Sequence, residues 1–133
     1  LKKDILIKLD GFDETLGVGA PTRWGAAEGQ DLVIRSIDSG YKGYFNYNIY
    51  GHHHIVTLNP KDKKNVQKLI SYARGTGRVF KINNYKIFAI LMCIRPLLKI
   101  PLYILKFDFL NIKSRIYISY ASFEGYFSNS DEK

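Results

Sequence analysis

Cysteine is nearly absent from this sequence of 133 residues, in which Cys93 is the only one. A disulfide within the chain is therefore excluded, and a reducing compartment is favoured. Internal repeats and low-complexity tracts are absent as well. The G-K-[ST] ending of a P-loop does not occur, which excludes the phosphate-binding loop of P-loop NTPases.

The positive charge of the chain lies almost entirely in its second half. The composition is that of a globular protein, with 46% hydrophobic and 24% charged residues and a net charge of +8. Residues 1–60 carry a net charge of −1, whereas residues 61–133 carry +9 and are rich in Ile, Leu, Phe and Tyr. This asymmetry predicts an anionic partner, and the long aliphatic runs between the cations favour a membrane over nucleic acid.

Apolar periodicity and turn residues predict three helices and a short β-rich segment in the first 75 residues. The helices are expected at 2–9, 29–39 and 61–74, the last of them ending at Gly75. The tyrosine-rich residues 41–50 are expected to form one or two short strands.

Residues 87–105 form an apolar run that is nearly long enough to span a bilayer. Two cations and two prolines interrupt it, namely Arg95, Pro96, Lys99 and Pro101. Each charge near the centre of a bilayer costs roughly 2.5–3.5 kcal/mol, so two short helices in the membrane interface are favoured, with a break at Pro96 or Pro101. Periodicity alone fits a buried helical hairpin in a soluble protein equally well, and the surrounding basic charge favours the interface.

Residues 11–35, GFDETLGVGAPTRWGAAEGQDLVIR, resemble the acceptor-side half of family 2 glycosyltransferases, which are inverting enzymes with a GT-A fold. A looser similarity continues through Tyr72–Gly77, Arg95-Pro96 and Glu124–Tyr126. The resemblance implies an α/β fold, with the acceptor-side part of a GT-A domain in residues 1–60. Amphipathic, membrane-associating helices are then expected in residues 61–133.

The same resemblance implies a catalytic base and an acceptor site. A base beside an aromatic wall can have its pKa raised toward working pH, and Glu28, with Asp31 as the alternative, follows Trp24 closely. The usual base position of the family is occupied by Gly29. Asp31 fits equally a purely structural place in the first turn of a helix. The acceptor site is expected to comprise Trp24, Asp13, Glu14, Gly17 and Gly19.

The resemblance further implies groups that hold a metal ion and a diphosphate. The family commonly carries a histidine at the end of the catalytic domain, which here corresponds to His52 or His53. Arg74 and Arg78 are candidates for binding phosphate. The alternatives are ordinary surface histidines, a helix-dipole contact for Arg74 and an interfacial anchor for Arg78. The complete enzyme is expected to use a divalent cation, Mg²⁺ or Mn²⁺, and a nucleotide-sugar donor.

The nucleotide-binding half of such an enzyme is missing from these residues. No D-x-D motif occurs, and the chain begins at Leu1 without a preceding βαβ pattern. The sequence therefore predicts a fragment that transfers no sugar by itself, located in the cytoplasm on the inner face of the cell membrane. The expected acceptor is a polysaccharide or a lipid-linked glycan. The alternative is a non-catalytic basic module that binds membranes or nucleic acid.

Overall fold

The chain is all-helical in the residues that the computed structural model describes, which are 2–44, 46–48, 50–52 and 62–128. Helices account for 64% of them, with no strand. The helices are α1 (Lys3–Lys8), α2 (Glu28–Asp38), α3 (Lys63–Ile82), α4 (Lys86–Leu97), α5 (Ile100–Leu105) and α6 (Phe109–Phe127).

The expected α/β fold is therefore wrong for the described residues. The segment 41–50 was predicted as strand, but its described residues have no regular structure. A strand must pair its backbone N–H and C=O groups with a neighbouring strand, and the described part of the chain offers none. The side chains of Tyr44, Tyr47 and Tyr50 are accordingly exposed by more than four-fifths.

The two N-terminal helices lie where the sequence predicts them. Helix α2 begins directly after Ala27, which has a φ of 81°, and ends before Ser39 and Gly40. Gly40 has a φ of 83° and donates its N–H to the carbonyl of Ile37 at 2.9 Å, which closes the last turn. Residues 10–27 form an irregular loop between α1 and α2, as predicted.

Helix α3 is longer than predicted because its glycines serve packing and do not end it. It continues through Gly75 and Gly77 to Ile82. A Cβ atom on Gly75 would collide with the backbone of Ala26, and one on Gly77 would collide with the backbone of Ser122 in α6. These glycines thus allow the loop and α6 to approach the backbone of α3 closely.

The apolar run divides into two helices, and a third helix returns along it. Helix α4 continues through Pro96 to Leu97 and α5 starts at Ile100, so the run is broken as predicted, but at Leu98 and Lys99, between the two prolines and not at either of them. Helix α6 lies in the region 61–133 that was expected to be helical, although its bounds were not predicted, and it packs along both α3 and α4. It runs antiparallel to α4 and α5, since Ser119 donates to the carbonyl of Cys93 at 2.6 Å and Arg115 to the hydroxyl of Tyr103 at 3.3 Å.

The loop between α1 and α2 folds onto α3 and forms the small hydrophobic core. Trp24 and Leu16 of the loop are buried together with Val79 of α3. Ala27 and Ile34 pack against them. This core fixes the start of α2, where the candidate base lies, relative to α3.

Candidate functional site

Glu28 is the first residue of α2, and its carboxylate lies against the backbone of Gly17. A Cβ on Gly17 would stand 2.8 Å from Cδ of Glu28, and Gly17 itself has a φ of 103°. Both the space and the backbone conformation therefore favour glycine at this position. Glu28 is half-buried, and its carboxylate has no hydrogen bond or ion pair to any residue that the structure describes. Its oxygens can thus accept a proton from a ligand.

Asp31, by contrast, is fully engaged in holding the fold together. It is buried, with 1% of its surface exposed. Its Oδ2 accepts from Nε of Arg35 at 2.7 Å, and its Oδ1 accepts from Nδ2 of Asn83 at 2.9 Å. Arg35 in turn donates to the backbone carbonyls of Leu9 and Gly11. Asp31 therefore connects α2 both to α3 and to the end of α1.

An open cleft of about 550 Å³ lies between the residues after α1, helix α2 and the end of α3. It brings together three of the predicted site residues, Asp13, Glu14 and Asp31. The other lining residues are Leu9, Asp10, Phe12, Arg35, Ile82 and Asn83. Carboxylates accept hydrogen bonds from hydroxyl groups, so an acid-lined cleft of this size suits a polyhydroxylated ligand. We call it the acidic cleft.

Trp24 lies in the core and not on a surface. Only 1% of it is exposed. The guanidinium groups of Arg23 and Arg78 lie over the indole ring, with Cζ at 5.0 and 5.4 Å from its centroid. The ring face expected to stack on a sugar is therefore occupied by protein in this structure.

The two glycines predicted for the acceptor site open onto a different cleft. Gly17 and Gly19 line a cavity of about 450 Å³, together with Lys68, Ser71 and Tyr72 of α3. Gly19 has a φ of 91°, and a Cβ there would meet no atom within 4 Å. The predicted acceptor residues are thus divided among the acidic cleft, this second cleft and the core.

The two arginines predicted to bind phosphate are one helical turn apart on α3; Arg74 contacts α6, and Arg78 contacts Ser128, the residue after α6. Arg74 donates from Nε and Nη2 to Oε2 of Glu124, both at 2.9 Å, and the other oxygen of Glu124 pairs with Arg23 at 2.9 Å. Arg78 donates to the carbonyl of Ser128 at 3.2 Å. Glu124 therefore neutralises Arg74, a role that its position in an E-G-Y motif did not reveal.

The histidines predicted to meet a metal ion lie apart from both clefts or outside the described residues. His52 is exposed and contacts Tyr50 edge-on at 6.4 Å between ring centroids. His53 falls outside the part of the chain that the structure describes. In the described ranges, no group of three or more His, Cys, Asp or Glu side chains could hold a metal ion. The described residues of the predicted site therefore do not provide the ligand set of a divalent cation.

Comparison with known proteins adds no further constraint on this site. No family model matches the chain, and neither the curated proteins nor the solved structures contain a match. One stretch among the described residues, Lys86–Leu105, is long and apolar enough to cross or associate with a membrane, by its length and composition. Only 6% of that stretch is buried inside the protein.

Proposed function

We propose that this chain provides the acceptor side and the membrane-binding helices of an inverting glycosyltransferase. The observation that carries the proposal is the position of Glu28. Its carboxylate stands at the start of α2, against the backbone of Gly17, and has no partner among the described residues. The acidic cleft is lined by Asp13 and Glu14 but not by Glu28, whereas Gly17, beside the Glu28 carboxylate, lines the second cleft.

Glu28 is the general base of the proposed reaction. The acceptor hydroxyl transfers its proton to a carboxylate oxygen of Glu28, and the acceptor oxygen attacks the anomeric carbon of the donor sugar. The bond from that carbon to the diphosphate breaks as the new glycosidic bond forms, which inverts the configuration. Asp13 and Glu14 line a cleft that Glu28 does not line, so they are assigned to hydrogen bonds with other hydroxyls of an extended glycan acceptor and not to the alignment of the attacking hydroxyl.

Asp31 has a supporting role in this scheme. Both of its oxygens already accept hydrogen bonds from Arg35 and Asn83. A base must offer an accessible oxygen to the hydroxyl that it deprotonates, and Asp31 is buried. Glu28 therefore remains the candidate base, and Asp31 orients the helix that carries it.

The donor is expected to bind outside residues 1–133, because the D-x-D motif of the family does not occur in them. The acceptor is a polysaccharide or a lipid-linked glycan, and the site works in the cytoplasm on the inner face of the membrane. The apolar stretch Lys86–Leu105 supports the membrane location. The single cysteine supports a reducing compartment.

Calorimetry with nucleotide sugars and Mn²⁺ tests whether the 133-residue chain lacks a donor site. We expect no binding, and clear micromolar binding would contradict the proposal that the donor site lies elsewhere. The second measurement is sugar transfer by residues 1–133 together with the donor-binding half that the proposal places outside them. Glu28→Gln should reduce kcat at least about 100-fold, whereas Asp38→Asn, at the other end of α2, should not. Equal turnover of both variants would refute the assignment of the base.

A second candidate function is a basic membrane-binding module without catalysis. The observation that favours it is the large exposed apolar surface of α4, α5 and α6. Both functions predict membrane binding, so the Glu28→Gln experiment separates them. Under the second function, no transfer of sugar is seen with any donor, and vesicle binding is the sole activity.

A further inference from the structure

Helix α4 is apolar on nearly all sides, but only a narrow strip of it is covered by protein. The covered residues fall at helical spacing, with Ala89 buried and Met92, Cys93 and Pro96 half-buried. The rest of its large apolar side chains are exposed, namely Ile87, Phe88, Ile90, Leu91, Ile94 and Leu97. A helix that is apolar all round is typical of a protein core or a membrane, and this one does not lie in the core.

The exposed apolar surface includes side chains of α5 and α6, and Ile90 and Ile94 of α4 line one cavity together with Phe123 and Phe127 of α6. Its further members are Leu98, Leu102, Ile104, Leu105, Phe107, Phe109, Leu110, Ile116, Tyr117, Tyr120, Phe123 and Phe127. Soluble monomers rarely expose contiguous apolar patches of more than a few hundred Å². A surface of this extent therefore requires an apolar partner.

The cations in this part of the chain are exposed except for the half-buried Arg115, and none of the exposed ones is paired with an acidic side chain among the described residues. Arg95 and Lys99 are four residues apart, and Lys106 and Lys113 follow beyond α5 and on α6. The two acids of this region are occupied, because Asp108 caps α6 through the N–H of Asn111 at 3.1 Å and Glu124 binds Arg74. The partner that matches both apolar residues and uncompensated cations is an anionic lipid surface.

The packing of α6 argues against a bilayer-spanning α4. Helix α6 packs along both α4 and α3, and α3 exposes Lys63, Lys64 and Lys68 to solvent. If α4 and α5 crossed the bilayer, the bundle would carry Arg95, Lys99 and the cations of α6 into the hydrocarbon. Charges at that depth are strongly disfavoured.

We propose that α4, α5 and α6 lie together in the plane of one bilayer leaflet, while α3 remains in water. The exposed apolar side chains enter the acyl region, and Arg95, Lys99, Lys106 and Lys113 contact lipid phosphates. The inference deepens the membrane part of the proposed function. It is carried by α4–α6 alone, so a failure to transfer sugar would leave it standing.

Vesicle flotation tests the choice of partner. The chain should float with phosphatidylcholine vesicles that contain about a third of phosphatidylglycerol, and far less with pure phosphatidylcholine. The variant Arg95→Gln/Lys99→Gln/Lys106→Gln should partition about 100-fold more weakly into the anionic vesicles. The matched control, Lys63→Gln/Lys64→Gln/Lys68→Gln on α3, should change partition by less than about threefold, because these cations face water. An equal decrease of vesicle partition in the two variants would contradict the proposed contact surface.

The apolar part of the contact is tested by Leu98→Glu/Leu105→Glu. Both leucines are exposed, by 70% and 78%, so the fold should persist, as circular dichroism will show. Flotation should be lost even with anionic vesicles. If it is retained, the attachment is electrostatic alone and the proposed insertion is wrong.

A fluorescent probe distinguishes the in-plane arrangement from a spanning one. In a Cys93→Ser background, single cysteines at Ser39 and at Leu110 are labelled with an NBD dye, and the protein is added to preformed vesicles. External dithionite should then reduce both probes, because both lie on the outer side. Protection of the Leu110 probe alone would show that α4 and α5 cross the bilayer, which would overturn the proposal.

Discussion

Arg35 pairs through Nε with the buried carboxylate of Asp31 at 2.7 Å and donates from Nη1 and Nη2 to the backbone carbonyls of Leu9 and Gly11. The two residues are four positions apart on α2, so the ion pair lies along the helix. Asp31 also binds Asn83 at the end of α3. One carboxylate thus connects three parts of the fold beside the acidic cleft.

Asp31→Asn should destabilise the protein, whereas Glu28→Gln should not. The first variant removes the charge that compensates the partly exposed Arg35, and we expect the free energy of unfolding to fall by about 2–4 kcal/mol. The second variant alters a carboxylate without a described partner, so its free energy of unfolding should differ from that of the parent chain by less than about 0.5 kcal/mol. Urea denaturation followed by the fluorescence of Trp24 measures both. Equal destabilisation would show that Glu28 is also a structural residue.

Gly77→Ala should lower the free energy of unfolding by about 1–3 kcal/mol. The new Cβ would collide with the backbone of Ser122, so α3 and α6 would have to separate. Gly29→Ala is the matched control, since it also lies in a helix but a Cβ there meets nothing within 4 Å. The free energy of unfolding of Gly29→Ala should rise by up to about 1 kcal/mol, because alanine has a higher helix propensity than glycine. A neutral Gly77→Ala would mean that the two helices do not meet closely at this point.

Cys93 should react slowly with iodoacetamide at neutral pH. Burial raises the pKa of its thiol above the ordinary value, and the thiolate is the reactive form. An exposed cysteine placed at Ser39 in a Cys93→Ser background provides the reference rate. At neutral pH the alkylation rate of Cys93 should be several-fold lower than the reference rate. Its increase with pH should also occur at a higher pH than that of the reference cysteine. In urea, where burial is lost, the two rates should converge.

Tyr85 should make stability depend on pH in alkaline solution. Its hydroxyl donates to Oδ1 of Asp38 at 2.7 Å, and this hydrogen bond, followed by burial and the charge of Asp38, raises the pKa of Tyr85. A raised pKa in the folded state means that the contact stabilises fully below the unfolded pKa of about 10 and is lost as pH rises above it. The urea midpoint of Tyr85→Phe should therefore lie below that of the parent chain at neutral pH. The difference between them should shrink above pH of about 10.

Local sequence signals placed several elements correctly. Helix α2 follows from the period of Leu32, Ile34 and their neighbours, and from Gly40 beyond its end. The break between α4 and α5 follows from the prolines, which lack a backbone donor. These features depend on residues close together in the chain, so periodicity and backbone chemistry are sufficient to predict them.

The errors arose where a partner distant in sequence decides the structure. The sequence predicts that the helix ends at Gly75, but Gly75 and Gly77 both lie inside α3, because the loop at Ala26 and helix α6 pack closely where these residues have no side chain. Residues 41–50 have strand propensity, yet no strand lies beside them among the described residues. A propensity shows what a segment can adopt, and only the neighbouring chain shows whether its hydrogen bonds can be made.

The sequence by itself determined the basic second half, the apolar stretch interrupted by prolines and cations, and the candidate carboxylates near Trp24. These are properties of composition and spacing, which folding does not alter. Only the tertiary structure decided that Asp31 is bound by Arg35 and Asn83, that Trp24 is buried, and that Glu28 has no partner among the described residues. Burial and pairing depend on contacts between residues that are distant in the chain, such as the bond from Asn83 to Asp31, 52 positions apart. Spacing along the chain cannot specify such contacts until the helices pack.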